Sequence, residues 1–196
     1  LGKKVSTSFD NMGGTFATTR DAILRWSKQL PKGFRVALAG TNHDQSQFTV
    51  YAPFTDDPAR IADAATKAFS DGGGDDWWSI IPALFTYAEK EVPPEAVAAV
   101  VYLTDGVGTG DFHRMWRGLR GSRVRLYTIG FGNVGREPLE DAVGWIPRRG
   151  LFNIAWYRGG RYYEPAGVDE LVGAYDAIFE DLRRPPEYAL RLTRRK

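Results

Sequence analysis

Apolar positions along this chain follow two rhythms, and their alternation predicts the fold. The run "AVVYLT" at 99–104 has no polar face, so it reads as a strand covered on both sides of a sheet. "VRLYTIGFG" at 124–132 reads the same way, and "GRYYEP" at 160–165 as a short final strand. Between these runs the spacing changes to that of helices. "TFATTRDAILRWSKQL" carries Phe16, Ile23, Trp26 and Leu30 at helical spacing and stops at Pro31. "DDPARIADAATKAF" opens on Asp56, Asp57 and Pro58, a cap followed by a first-turn proline. "SIIPALFTYAEKE" is a helix in which Pro82 is tolerable only near the start. "FHRMWRGLRG" is a short helix ended by glycine, and "GVDELVGAYDAIFEDLRR" an amphipathic last helix.

Two segments depart from this scheme. "FRVALAG" and "QFTVYAPF", separated by the polar turn "TNHDQS", read as a hairpin-like antiparallel pair. "REPLEDAVGWIPRRGLFNIAWY" reads as a helix or turn followed by an irregular excursion rich in Trp and Arg. Strands alternating with helices predict an α/β fold of three layers. It is a doubly wound, mostly parallel sheet with helices on both faces and one antiparallel edge strand. The expected domain spans 1–184, with 185–196 as a C-terminal strand ("EYALRL") or a tail leading to a further domain.

Composition removes several functions. Lys plus Arg is 26 against 24 for Asp plus Glu, so bulk charge shows no nucleic-acid footprint, and a nucleic-acid partner is not expected. With no cysteine, disulfides and thiolate metal sites are unavailable. No apolar run approaches membrane-spanning length, so no transmembrane segment is expected. No signal peptide precedes Leu1, so an exported protein would be read here as a mature fragment. Cytoplasmic and exported locations both stay open.

Chemistry concentrates where the buried strand ends. "TDGVGTGD" places Asp105 at the C-terminal end of its strand, where open α/β sheets hold their ligands. A helix cap or turn aspartate is the ordinary alternative. The glycines mimic a dinucleotide-binding turn, but their spacing is G-x-G-x-G, and the next strand ends without an acid. Neither His43 nor His113 has a nucleophile context, so an enzyme is not expected. Aromatics form the other signal. Trp77 and Trp78 follow a glycine turn, and "WIPRRGLFNIAWYRGGRYY" adds Trp145, Trp156, Tyr157 and several arginines. These residue types dominate binding hot spots. Trp26 and Trp116 read as core positions on their helices, and Tyr162 or Tyr163 as pointing inward.

Taken in order, "APFTDDPARIADA", "DGGGDDWWSIIPALFTYA", "AVVYLTDG", "VRLYTIGFG" and "GGRYYEPAGVDELVGAYDAIFEDL" resemble the von Willebrand factor type A (VWA) family over nearly the whole chain. The closing "IFEDLRRPPEYALRL" resembles a bacterial subset of it. The resemblance implies a protein-interaction or adhesion module whose ligand binds at the C-terminal edge of the sheet through a divalent cation: Mg²⁺, Mn²⁺ or Ca²⁺. The family holds that ion with Asp-x-Ser-x-Ser from one loop, Thr or Glu from a second and the Asp of "TDG" from a third. Here the match gives Ser6, Ser8 and Asp105, with Asp75 or Asp76 as substitutes in the second loop. Lys4 stands at the family's first aspartate and Trp78 at its Thr/Glu position. A working ion site and a degenerate one, with the Lys4 ammonium beside Asp105, both remain open. Lys4, Trp77 and Trp78 are the partner-contact candidates. The expected partner is a protein ligand, or a neighbouring subunit if the domain is a metal-independent structural part of a larger bacterial assembly. The family's central first strand is expected before the serines, where only "LGKK" precedes Val5; a strand further upstream, a loss of residues between Leu1 and Ser6, and "EYALRL" in that slot all stay open.

Overall fold

The computed structural model describes residues 15–41, 47–68, 77–104, 112–131 and 148–184. The first elements are α1 (Thr15–Ser27), β1 (Val36–Thr41), β2 (Phe48–Thr55), α2 (Pro58–Lys67) and α3 (Trp77–Glu91). Then follow β3 (Ala99–Thr104), α4 (Phe112–Gly118), β4 (Arg125–Gly130), α5 (Arg148–Tyr157), β5 (Tyr162–Tyr163) and α6 (Val168–Arg183).

Local chemistry sets the boundaries of these elements. Asp57 caps α2, its Oδ1 accepting from the Ala59 N–H at 2.9 Å, with Pro58 supplying the first turn. At the start of α6, Glu170 reaches back in the manner of a capping box, its Oε2 accepting from the Ala166 N–H at 2.8 Å. Pro82 lies within α3, and its ring sets how near α4 comes. A Cβ on Gly118 would stand 3.0 Å from the Pro82 Cβ, so a glycine there lets the two helices close up.

The parallel sheet has the order β3-β4-β5. Its register runs from Ala99 opposite Arg125 to Thr104 opposite Gly130, and Thr128 and Ile129 face Tyr162 and Tyr163. β1 and β2 form the expected antiparallel pair, with irregular register near Leu38. No ladder joins the two sheets among the described residues.

Both faces of the parallel sheet are covered, as the unbroken apolar run requires. Val100, Tyr102 and Leu126 face a core built with Ile80, Ile81 and Phe85 of α3, Met115 of α4, and Leu151 and Ile154 of α5. Tyr127 and Ile129 turn to the other side, where Trp26 of α1 meets Tyr175 and Phe179 of α6. Tyr162 packs on the first side and Tyr163 on the second. Trp26 is buried as expected, whereas Trp116 is only half-buried.

The segment after 147 corrects the sequence reading. In place of an irregular excursion, Arg148–Tyr157 is a regular helix. Leu151, Ile154 and Ala155 supply its buried stripe. Phe152, Trp156 and Tyr157 fill the outward positions that polar residues ordinarily occupy, and this hides the helical rhythm. A Schellman-type end closes it: Gly159 sits at φ 70°, and the Gly160 N–H donates to the Ala155 carbonyl at 3.0 Å. Gly160 is required for a second reason, since a Cβ there would lie 2.0 Å from the Leu126 carbonyl oxygen.

Candidate functional site: the C-terminal edge of the sheet

Strands β3 and β4 are paired to their last residues, so Thr104 and Gly130 end side by side. The Phe131 N–H donates to the Thr104 carbonyl at 2.9 Å and carries the pairing one residue further. Thr104 is buried. This ladder fixes the point from which the chain continues into Asp105 and the glycines.

Asp105 itself lies outside the described residues, as do Lys4, Ser6, Ser8, Asp75 and Asp76. Trp77 and Trp78 are described in backbone only, as the first two residues of α3. The proposed ligand set is therefore neither assembled nor separated by the described geometry. His43, Trp145 and "EYALRL" also lie outside it. Among the described residues no group of three or more His, Asp or Glu side chains stands close enough to hold a metal ion. No described helix is long and apolar enough to cross a membrane.

The opposite edge of the sheet, where β3 and β4 begin, is fully described and tightly tied. Glu89 Oε1 accepts from the Ser122 hydroxyl at 2.6 Å and from the Arg123 N–H at 3.2 Å. The Arg123 guanidinium donates to the carbonyls of Ala96 (2.7 Å), Pro94 (3.4 Å) and Val92. Arg158, just past α5, donates to the carbonyls of Ser122 and Val124 and lies over the Phe85 ring, 5.5 Å from its centre. Burial lowers the Arg158 pKa from its ordinary value, while the Glu89 charge opposes that shift. These arginines cross-link the segments entering β3 and β4 and work structurally.

On the α1/α6 side, the buried Tyr127 donates from its hydroxyl to Asp181 Oδ2 at 2.6 Å, and Arg161 reaches Asp181 Oδ1 at 3.4 Å. Burial, reinforced by the Asp181 hydrogen bond, pushes the Tyr127 pKa far up.

The profile of the von Willebrand factor type A domain matches residues 6–148, which is more than half of the chain. The chain belongs to the VWA family. Among solved structures, BatB from Bacteroides thetaiotaomicron superposes with a TM-score of 0.65 at 13% identity, covering 87% of this chain and 89% of that one. A von Willebrand factor type A protein from Catenulispora acidiphila gives 0.64 at 15% identity, covering 91% and 40%. The manganese-loaded TRAP protein of Plasmodium vivax gives 0.52 at 19%, covering 79% and 61%. At such identities these likenesses speak for the fold. A search of the curated proteins finds no match.

The sequence reading did not single out Phe152. It stands four residues before Trp156, a spacing that marks a shared face only once 148–157 is known to be helical.

Proposed function

We propose that this VWA domain is a protein-interaction module without catalytic activity, and that it engages its partner at the C-terminal edge of the parallel sheet, around Asp105. One observation carries the reading. Two parallel strands, buried on both faces, end in step at Thr104 and Gly130, and Asp105 is the next residue of the chain. Ligands of open α/β sheets gather at that edge.

The contact is proposed to need no resident cation. The TRAP protein holds manganese, and VWA domains often bind divalent ions, but the donors here fit one poorly. Lys4 places an ammonium where the family has its leading carboxylate. Trp78 occupies the Thr/Glu position, and α3 is already helical there, so an indole takes the place of an oxygen ligand. Mg²⁺ is ordinarily held by one or two carboxylates plus waters, and Asp105 is the one aligned carboxylate left. On this reading the Lys4 ammonium takes the charge role of the ion beside Asp105.

Site-specific photo-crosslinking tests this reading. A photoreactive residue replacing Gly106, in cells that make the protein, is expected to trap a defined protein that Asp105→Lys abolishes. The same residue at Asp176, on the outer side of α6, is expected to trap none. Equal trapping at both positions, or trapping indifferent to Asp105→Lys, refutes the assignment.

A further inference from the structure

A helix packed on a sheet normally turns polar residues outward, and α5 does not. Phe152 is 52% exposed, Trp156 63% and Tyr157 63%. Phe152 and Trp156 are four residues apart and share a face. Tyr157 meets the Trp156 ring edge-on at 5.4 Å and the Trp116 ring of α4 at 5.4 Å, so three rings form one row across two helices. The buried stripe of α5 is already supplied by Leu151, Ile154 and Ala155, so core packing gives no reason for these rings.

Charge follows the aromatics. The sequences of α4 and α5 contain Arg114, Arg117, Arg148 and Arg149 and no acid. Arg117 and Arg120 are exposed and form no ion pair with any described residue. Arg120 stands four residues beyond Trp116.

We propose that the outer face of α5, with Trp116, Arg117 and Arg120, seats on an anionic lipid bilayer surface. Tryptophan and tyrosine rings are stable at headgroup depth, where one end of the ring meets hydrocarbon and the other water. Arginines beside them draw the face to anionic headgroups, and the two contributions together give surface binding without a spanning segment. A second copy of this chain is the poorer occupant, because pairing like faces would bring arginine against arginine. A peptide is also poorer, since residues more than half exposed on an outer helix face protrude and line no groove. Arg158 ties the end of α5 to the carbonyls leading into β4. The end of α5 that carries Trp156 and Tyr157 therefore lies toward the sheet edge opposite Thr104.

The test is vesicle flotation of the intact chain. Vesicles of phosphatidylcholine with about 30% phosphatidylglycerol are expected to carry the protein, pure phosphatidylcholine vesicles far less, and added salt to weaken binding. Phe152→Ser with Trp156→Ser is expected to weaken partition by about tenfold or more while leaving the melting temperature unchanged. Arg117→Glu with Arg120→Glu is expected to do the same with every ring intact. Failure to float with anionic vesicles overturns the proposal, as does binding that neither pair alters. Capture by polyglutamate without vesicle binding, lost in both pairs, would overturn it in favour of an acidic protein. A concentration-dependent dimer lost in both pairs would overturn it in favour of self-association.

Discussion

The helices on the two faces of the parallel sheet bury equivalent stripes yet expose opposite surfaces. α6 buries Leu171, Ala174, Tyr175, Ile178 and Phe179, and turns Asp169, Glu170, Asp176 and Glu180 to solvent. α5 buries Leu151, Ile154 and Ala155, and turns Phe152, Trp156 and Tyr157 outward. Both meet the requirement that the sheet be covered. Only α6 also meets the ordinary requirement for a surface that stays in water. Buried stripes thus report the fold, and outward faces set what each side presents to its surroundings.

Substitutions on the two sides are expected to differ widely in cost. Gly160→Ala is expected to have the largest effect, because its Cβ would stand 2.0 Å from the Leu126 carbonyl and the link between α5 and β5 must move. A loss of about 4 kcal/mol or more, read by chemical denaturation, is the expectation. Trp26→Ala follows on the α1/α6 side. Its ring lies 4.7 Å from Phe179 and 5.7 Å from Tyr175, so about 3–5 kcal/mol should be lost. Tyr127→Phe removes the hydroxyl bonded to Asp181 and is expected to cost about 1–2 kcal/mol. Trp156→Ala, by contrast, should change stability by less than about 0.5 kcal/mol, the range of ordinary surface positions. A large loss there would mean that the outward rings of α5 belong to the core.

The α1/α6 side also carries a pH signature. Folding raises the Tyr127 pKa above its ordinary value, chiefly through burial and then through the Asp181 hydrogen bond, and burial does the same to Tyr175. An unfolded tyrosine releases its proton near pH 10, whereas these hold theirs in the fold. Their stabilisation is therefore complete below about pH 10 and declines as pH rises above it. Melting temperatures measured upward from pH 9 should fall, and Tyr127→Phe should fall less steeply.

Most of the fold was legible because its buried elements follow simple periods. The two faces of "AVVYLT", the Asp57-Pro58 start and the last helix all appear as read. α5 was not legible, since its outward aromatics blur the contrast on which helical periodicity depends. The candidate site was legible only as chemistry. Asp105 can be placed after its strand from the pattern alone, but the segments carrying Lys4, Ser6 and Ser8 come from far along the chain, and no local spacing fixes how near they approach.

At that edge a lysine is proposed to take the place of the cation. Thermal melting in Mg²⁺ of the wild type, Asp105→Ala and Lys4→Asp tests it most directly. The wild type and Asp105→Ala should melt at temperatures independent of Mg²⁺. Lys4→Asp should gain about 5–10 °C at Mg²⁺ concentrations about 100-fold above its dissociation constant. A wild-type melting temperature that climbs with Mg²⁺, and ceases to climb in Asp105→Ala, would contradict the account.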